Sequence, residues 1–191
     1  MNKRMAMEKI LHKIANRFSF RRYAREEDAT ALIETVILMP VMITLLMGCF
    51  DLGQGILMNQ KTIGASQIIG DLITRGKTVT MGSLEDMIAA GELAFEPYST
   101  ATFGYDIASV EFDEDGEPVV LWRVTENMDP NDDAIDSTEI IGSPGDGVVV
   151  VTSIYKYTPF FSHFVVDEIN MKEVAFLRGR RSATITCNDC P

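Results

Sequence analysis

Ala29-Thr-Ala-Leu-Ile-Glu34-Thr-Val-Ile-Leu-Met-Pro40-Val-Met-Ile-Thr-Leu-Leu-Met-Gly48-Cys49-Phe50 is the stretch that decides how the rest of the chain is read. It holds one carboxylate, Glu34, in an otherwise uncharged run that begins after Arg25 and three acidic residues and gives way to Asp51. The uninterrupted part, residues 35–50, counts 16 residues. At 1.5 Å per residue that is about 24 Å of helix, short of a hydrocarbon core of about 30 Å. Residues 29–33 close the gap and leave Glu34 near one edge of a membrane span. An ionised carboxylate drawn toward the membrane centre costs about 2.5–3.5 kcal/mol, so Glu34 either reaches the headgroups or takes a partner. Pro40 lacks an amide hydrogen and is a candidate helix kink, which membranes tolerate when neighbours help.

Charge sets the orientation. Lys3, Arg4, Lys9, Lys13, Arg17, Arg21, Arg22 and Arg25 crowd the first 25 residues, whereas from Thr30 onward nine Lys/Arg face 24 Asp/Glu. Basic residues flanking a span stay on the cytoplasmic side, so the amino terminus is expected inside and the acidic remainder outside. That remainder, at a net −15, repels nucleic acid, which is not expected as a partner. In the leader, Ile10, Leu11, Ile14 and Phe18 fall at helical spacing and suggest a short amphipathic helix on the membrane surface.

Beyond Asp51 the apolar periodicity continues through Ile56, Met58, Ile63, Ala65, Ile68, Ile69 and Leu72 to Arg75-Gly76. One helix over residues 30–75 would be about 69 Å long, with a break just past the membrane favoured by Gly53, Gly55, Gly64 and Gly70. A second helix is predicted from Ser83, capped by Ser83 and Asp86, with Leu84, Met87, Ile88 and Leu93 on its buried face and Pro97 as its stop. The period then shifts to two. Residues 103–112 and 119–125, around the turn Asp113-Glu-Asp-Gly-Glu-Pro118, read as a hairpin with Val120, Trp122 and Val124 on one face. Residues 129–139 resemble a calcium loop only loosely, because Ala134 and Ile140 stand where glycine and glutamate are required. The valine run of 148–157 suits a strand buried on both faces, and 172–178 with 182–187 supply one broken or two short final strands. The expected fold class is α+β: a long N-terminal transmembrane helix continuing into a domain with a second helix and an antiparallel sheet of four or five strands. The expected boundaries are a basic leader at 1–29, a transmembrane helix at 30–58 and an outer α+β domain at 59–191.

Little in the chain points to catalysis. His12 and His163 fall on opposite sides of the expected span. No G-x-S-x-G, G-x-x-x-x-G-K or H-E-x-x-H pattern occurs, so neither an enzyme nor a cofactor is expected. Cys187 and Cys190 either close on each other or stand as a dithiol, and a metal site there would need two more ligands. Arg178, Arg180 and Arg181 form a basic cluster able to dock an acidic partner or to remain solvated.

Ala29-Thr-Ala-Leu-Ile-Glu34, then Leu38-Met-Pro40 and Phe50-Asp-Leu-Gly53, resemble the TadE-like minor pilins, or pseudopilins, of tight-adherence type IV pilus systems. Ser66–Arg75, Pro97-Tyr98, Val120-Leu-Trp-Arg123, Tyr155-Lys-Tyr-Thr-Pro159, the arginines at 178–181 and a terminal cysteine extend the resemblance downstream. It implies a pilin-like domain in the periplasm, processing by a prepilin peptidase between Ala29 and Thr30, and Glu34 as the fifth mature residue and assembly contact. The implied partners are the peptidase, other pilin and minor pilin subunits, and the inner-membrane assembly platform. Two other readings stay open. Leu46-Met-Gly-Cys49 resembles a lipobox that would make a lipoprotein acylated at Cys49, though its position 48 residues into the chain argues against it, and the chain as an uncleaved single-pass scaffold or binding protein is the other alternative.

Overall fold

The computed structural model describes the backbone of residues 2–161 and 168–191, with side chains from residue 30 onward. Among the expectations above, His163 lies outside the described residues, and nothing is described of the leader's side chains. The chain divides into two compact units, Met1–Cys49 and Phe50–Pro191.

Helix α1 spans Asn2–Arg75 and takes in the leader as well as the apolar run. No break occurs at its glycines. From Phe50 onward its apolar residues split onto two faces rather than forming one stripe. Met58, Ala65, Ile69 and Ile73 are each 1% exposed or less, whereas Ile56 and Ile68 face outward. Polar residues also enter the buried face, and they satisfy themselves on the helix. The hydroxyls of Thr62 and Thr74 donate to the carbonyls of Met58 and Gly70, each at 2.9 Å, which lets a buried hydroxyl avoid an unmet bond.

Helix α2, Met81–Glu92, is capped by Thr80, whose side chain accepts from the Ser83 amide while the Ser83 hydroxyl accepts from the Thr80 amide. Ser83 therefore occupies the third helical position, not the cap itself as the sequence suggested. A 3₁₀ turn, Leu93–Phe95, follows. Leu93, nine residues and half a turn of phase from Leu84, faces solvent, contrary to expectation, while Phe95 is buried, its ring 4.9 Å from that of Tyr155 and 5.1 Å from that of Phe103. The two helices approach closely at Gly91, where a Cβ would lie 2.5 Å from Ile69 Cγ1 and 3.2 Å from the Ala65 carbonyl oxygen.

Strands β2 (Phe103–Phe112), β3 (Pro118–Glu126), β4 (Gly147–Tyr157) and β5 (Ile169–Leu177) form one antiparallel sheet in the order β3-β2-β4-β5. The β2–β3 turn is built by Asp113, whose carboxylate accepts from the amides of Asp115 and Glu117, with Gly116 at φ +84°. A bulge shifts the register between Ser109 and Val110, so that Ser109 pairs with Trp122 and Val110 with Val120. Val120 thereby leaves the face of Trp122, where strict alternation had placed it. The remaining strands, β1 (Thr78–Val79) and β6 (Thr186–Cys187), pair in parallel as a separate two-stranded sheet. The final strand of the sequence reading is thus a strap between the carboxy terminus and the end of α1, and the main sheet has four strands. Ile185 next to it is buried, and its carbonyl accepts from Trp122 Nε1 at 2.7 Å and from the Ser109 hydroxyl at 2.8 Å.

β4 is buried on both faces, as its valine run predicted. Val149 and Val151 join a core with α1 and α2, while Val148 and Val150 join Ala108, Val110 and Phe112 under Ala134 and Ile135. The latter two lie on α3, Asp132–Asp136, within the connection that crosses from β3 to β4. A polar knot fastens this crossing. Asp106, 3% exposed, accepts from Arg123 Nε and Nη2 at 2.8 and 2.6 Å, from the Thr125 hydroxyl at 2.7 Å and from the Asn131 amide at 2.8 Å. The Asn131 side chain continues the knot, donating to Thr152 and accepting from Lys172.

Burial pushes the Asp106 carboxyl up, but the donors from Arg123, Thr125 and Asn131 outweigh it and hold it below the usual carboxylate range. A carboxyl depressed by folding stabilises the fold fully above its unfolded value of about 3.9, and that contribution is lost as pH falls through the folded value. Denaturant titrations from neutral pH to about pH 3 should therefore show stability declining on the acid side, with a shallower decline for Asp106→Asn. The same variant should cost about 2–3 kcal/mol at neutral pH, because Arg123 loses its charged acceptor. Gly91→Val should cost about 1–3 kcal/mol by forcing α2 off α1, measured by the same titration.

Candidate membrane and assembly helix

Residues 30–49 present apolar side chains outward around the whole helix: Leu32, Ile33, Val36, Ile37, Leu45 and Leu46 are each more than half exposed. The helical stretch Thr30–Arg75 is long and apolar enough to cross a membrane. Twenty residues at 1.5 Å rise give about 30 Å, one hydrocarbon core. A helix in lipid must satisfy its polar groups internally, and the two threonines past Glu34 do so. The Thr35 and Thr44 hydroxyls donate to the carbonyls of Ala31 and Pro40, both at 2.8 Å. Pro40 sits inside the helix, where its missing amide leaves the Val36 carbonyl without its usual partner.

The Ala29–Thr30 peptide bond also lies within α1. Glu34 is exposed and stands four residues beyond Thr30, one helical turn along the same face. Cys49 is a free, exposed thiol at the end of this unit. Cys187 and Cys190 belong to the other unit, where they are joined by a disulfide with Cα atoms 5.6 Å apart. Between them Asp189 accepts from the Met81 amide at 2.8 Å, so this loop holds the start of α2. Of the arginine cluster, Arg178 pairs with Asp146 and the Ile141 carbonyl, Arg180 pairs with Asp71, and Arg181 is exposed. Two of the three are thus engaged in tying the chain to itself.

Asp51 is the residue whose role the sequence reading did not find. It marks the end of the apolar run, where a carboxylate is expected to be solvated, yet it is 4% exposed. Its carboxylate accepts from the amides of Phe160 and Phe161 at 3.0 Å each, and its carbonyl accepts from the Tyr157 hydroxyl at 3.2 Å. Burial, reinforced by the Asp51 charge, pushes the Tyr157 hydroxyl up. Gly55, one turn on, makes room for Tyr157 and Met171, its notional Cβ lying 3.6 Å from the Tyr157 ring. The signal that could have found Asp51 is a charged residue with a glycine one turn on, Gly55, in a helix that must pack on a sheet. Its partners, more than a hundred residues away, leave no local trace.

Residues 29–68 match the family described as TadE-like protein. No curated protein and no solved structure matches the chain. The matched stretch carries Glu34, Pro40 and Asp51.

Proposed function

We propose that this chain is a pilin-like subunit, a minor pilin or pseudopilin, required for assembly of a tight-adherence type IV pilus. The observation that carries the reading is Glu34, a lone exposed carboxylate on an apolar helix one turn beyond Thr30, inside the matched stretch. Residues 1–29 form a cytoplasmic leader, α1 crosses the inner membrane once, and the acidic α+β domain lies in the periplasm. We place the crossing on residues 30–49 and the rest of the expected 30–58 segment at the outer interface, because Asp51, Gly55 and Met58 are packed within the domain.

A prepilin peptidase cutting between Ala29 and Thr30 would leave a charged amine one turn from Glu34. Each charge alone is costly at a membrane boundary. Pairing the amine of one subunit with Glu34 of the next offsets both desolvation costs and sets the stagger between helices. Outward-facing Gly48 and Gly53, where a Cβ would meet nothing, let another helix approach closely. The role is structural: other pilin subunits and the inner-membrane platform are the partners, and the domain carries no assigned catalysis or cofactor.

Glu34→Leu should leave membrane insertion intact and abolish incorporation into a filament or assembly complex, scored by membrane fractionation and by pilus recovery. A normal pilus from that variant would overturn the pairing. Amino-terminal sequencing of the mature protein should begin at Thr30. Met1 would indicate an uncleaved scaffold, and a blocked, lipid-modified Cys49 would indicate a lipoprotein.

A further inference from the structure

Three phenylalanines gather beside Asp51 and take no part in the assembly reading. Phe50 opens the second unit on α1, while Phe160 and Phe161 follow β4. Their rings form a chain, with centroids 5.5 Å apart for Phe50 and Phe161 and 4.8 Å for Phe160 and Phe161, each pair edge to face. The cluster is not a buried core. Phe160 is 73% exposed and Phe50 50% exposed. Leaving a phenylalanine in water instead of burying it forfeits about 1.5–3 kcal/mol. The segment is nevertheless held firmly, since the carboxylate of Asp51 takes both consecutive amides.

What covers the cluster follows from its place in the chain. If residues 30–49 fill the hydrocarbon core, Phe50 stands where the helix leaves it, at the boundary of acyl chains and headgroups. Asp51 binds Phe160 and Phe161 to that same level. Aromatic and large apolar side chains at this depth gain from burial of about 5–10 Å into the interface. The domain is acidic, so attraction to anionic headgroups cannot supply the contact, and an apolar one can. Asp51, already satisfied by two amides, brings no bare charge to the boundary.

We propose that Phe50, Phe160 and Phe161 form an interfacial foot that seats the domain on the outer surface of the bilayer crossed by α1, with Asp51 as its latch. The inference rests on the membrane crossing assigned above.

The test uses the full chain in vesicles of zwitterionic phosphatidylcholine, with bromines placed either shallow or deep on the acyl chains. Phe160→Trp adds one indole to a parent whose own Trp122 is buried, so the parent spectrum is subtracted and also reports that the fold is kept. The added emission should be blue-shifted, lost to shallow bromines and resistant to aqueous acrylamide. Leu38→Trp, within the span, should be quenched by deep bromines. If Leu38→Trp responds and Phe160→Trp is instead quenched by acrylamide alone, the foot is wrong and the crossing stands. If Leu38→Trp is untouched by lipid bromines, the crossing fails and the foot with it. An indole at 160 shielded from both quenchers would mean that another copy of the chain covers the cluster, which also overturns the lipid assignment. Adding Asp51→Ala to Phe160→Trp should restore acrylamide quenching, and unchanged lipid quenching would remove Asp51 as the latch.

Discussion

A single helix in this protein carries two kinds of surface, and the remaining architecture depends on how it does so. Over residues 30–49, α1 shows apolar side chains in every direction, and the hydroxyls of Thr35 and Thr44 return to the helix's own carbonyls. From Asp51 onward the same helix offers one face to a core, with Met58, Thr62, Ala65, Ile69 and Ile73 at successive turns. A backbone that closes its own hydrogen bonds can pass between these regimes without changing conformation, which a strand could not do. The change is made entirely by side chains, and Asp51 is the first of them to be buried in the domain.

Within the domain, burial and polarity divide the work across the sheet. One face is sealed by α1 and α2 with Leu84, Ile88, Phe95 and Trp122. The other is partly covered by the short α3, whose apolar contribution is small, and there the Asp106–Arg123–Asn131 knot adds directional bonds. A buried ion pair is weak evidence for stability by itself, because desolvation opposes it. Here the carboxylate has four donors from three partners, so it fixes which segment lies over the sheet as much as it strengthens the contact.

How much of this was legible in the sequence depended on whether the signal was local. The long helix, the hairpin around Asp113–Pro118 and the doubly buried valine strand follow from period, turn residues and composition over about ten residues each. The four-strand antiparallel sheet and the α+β class follow in turn. Features set by a single extra residue or a distant partner were not legible. The bulge opposite Ser109 moves Val120 to the other face. Thr80 takes the cap because its own backbone is extended there, with Ser83 completing the reciprocal bond. The pairing of Thr186 with Thr78 and the burial of Asp51 are long-range and have no periodic signature. For the candidate site, the oddity of Glu34 was plain from charge alone, whereas the residues that brace the helix where it enters the domain were not.

The strap between β1 and β6 has a consequence for the order in which the protein can be made. Met81 and Asp189, bonded across it, are 108 residues apart in the chain, and contacts of such separation form late because a large loop must first close. Synthesis proceeds from the amino terminus, so α1 is complete long before β4, β5 and the strap exist. During that interval Met58, Ile69 and Ile73 have no sheet to lie against, and the half-made domain is an adhesive surface. Helix α2, which precedes every strand of the main sheet and meets Ile69 at Gly91, is the first partner able to cover part of them. The carboxy-terminal residues act as a clasp, closing last on a domain whose other end is already fixed.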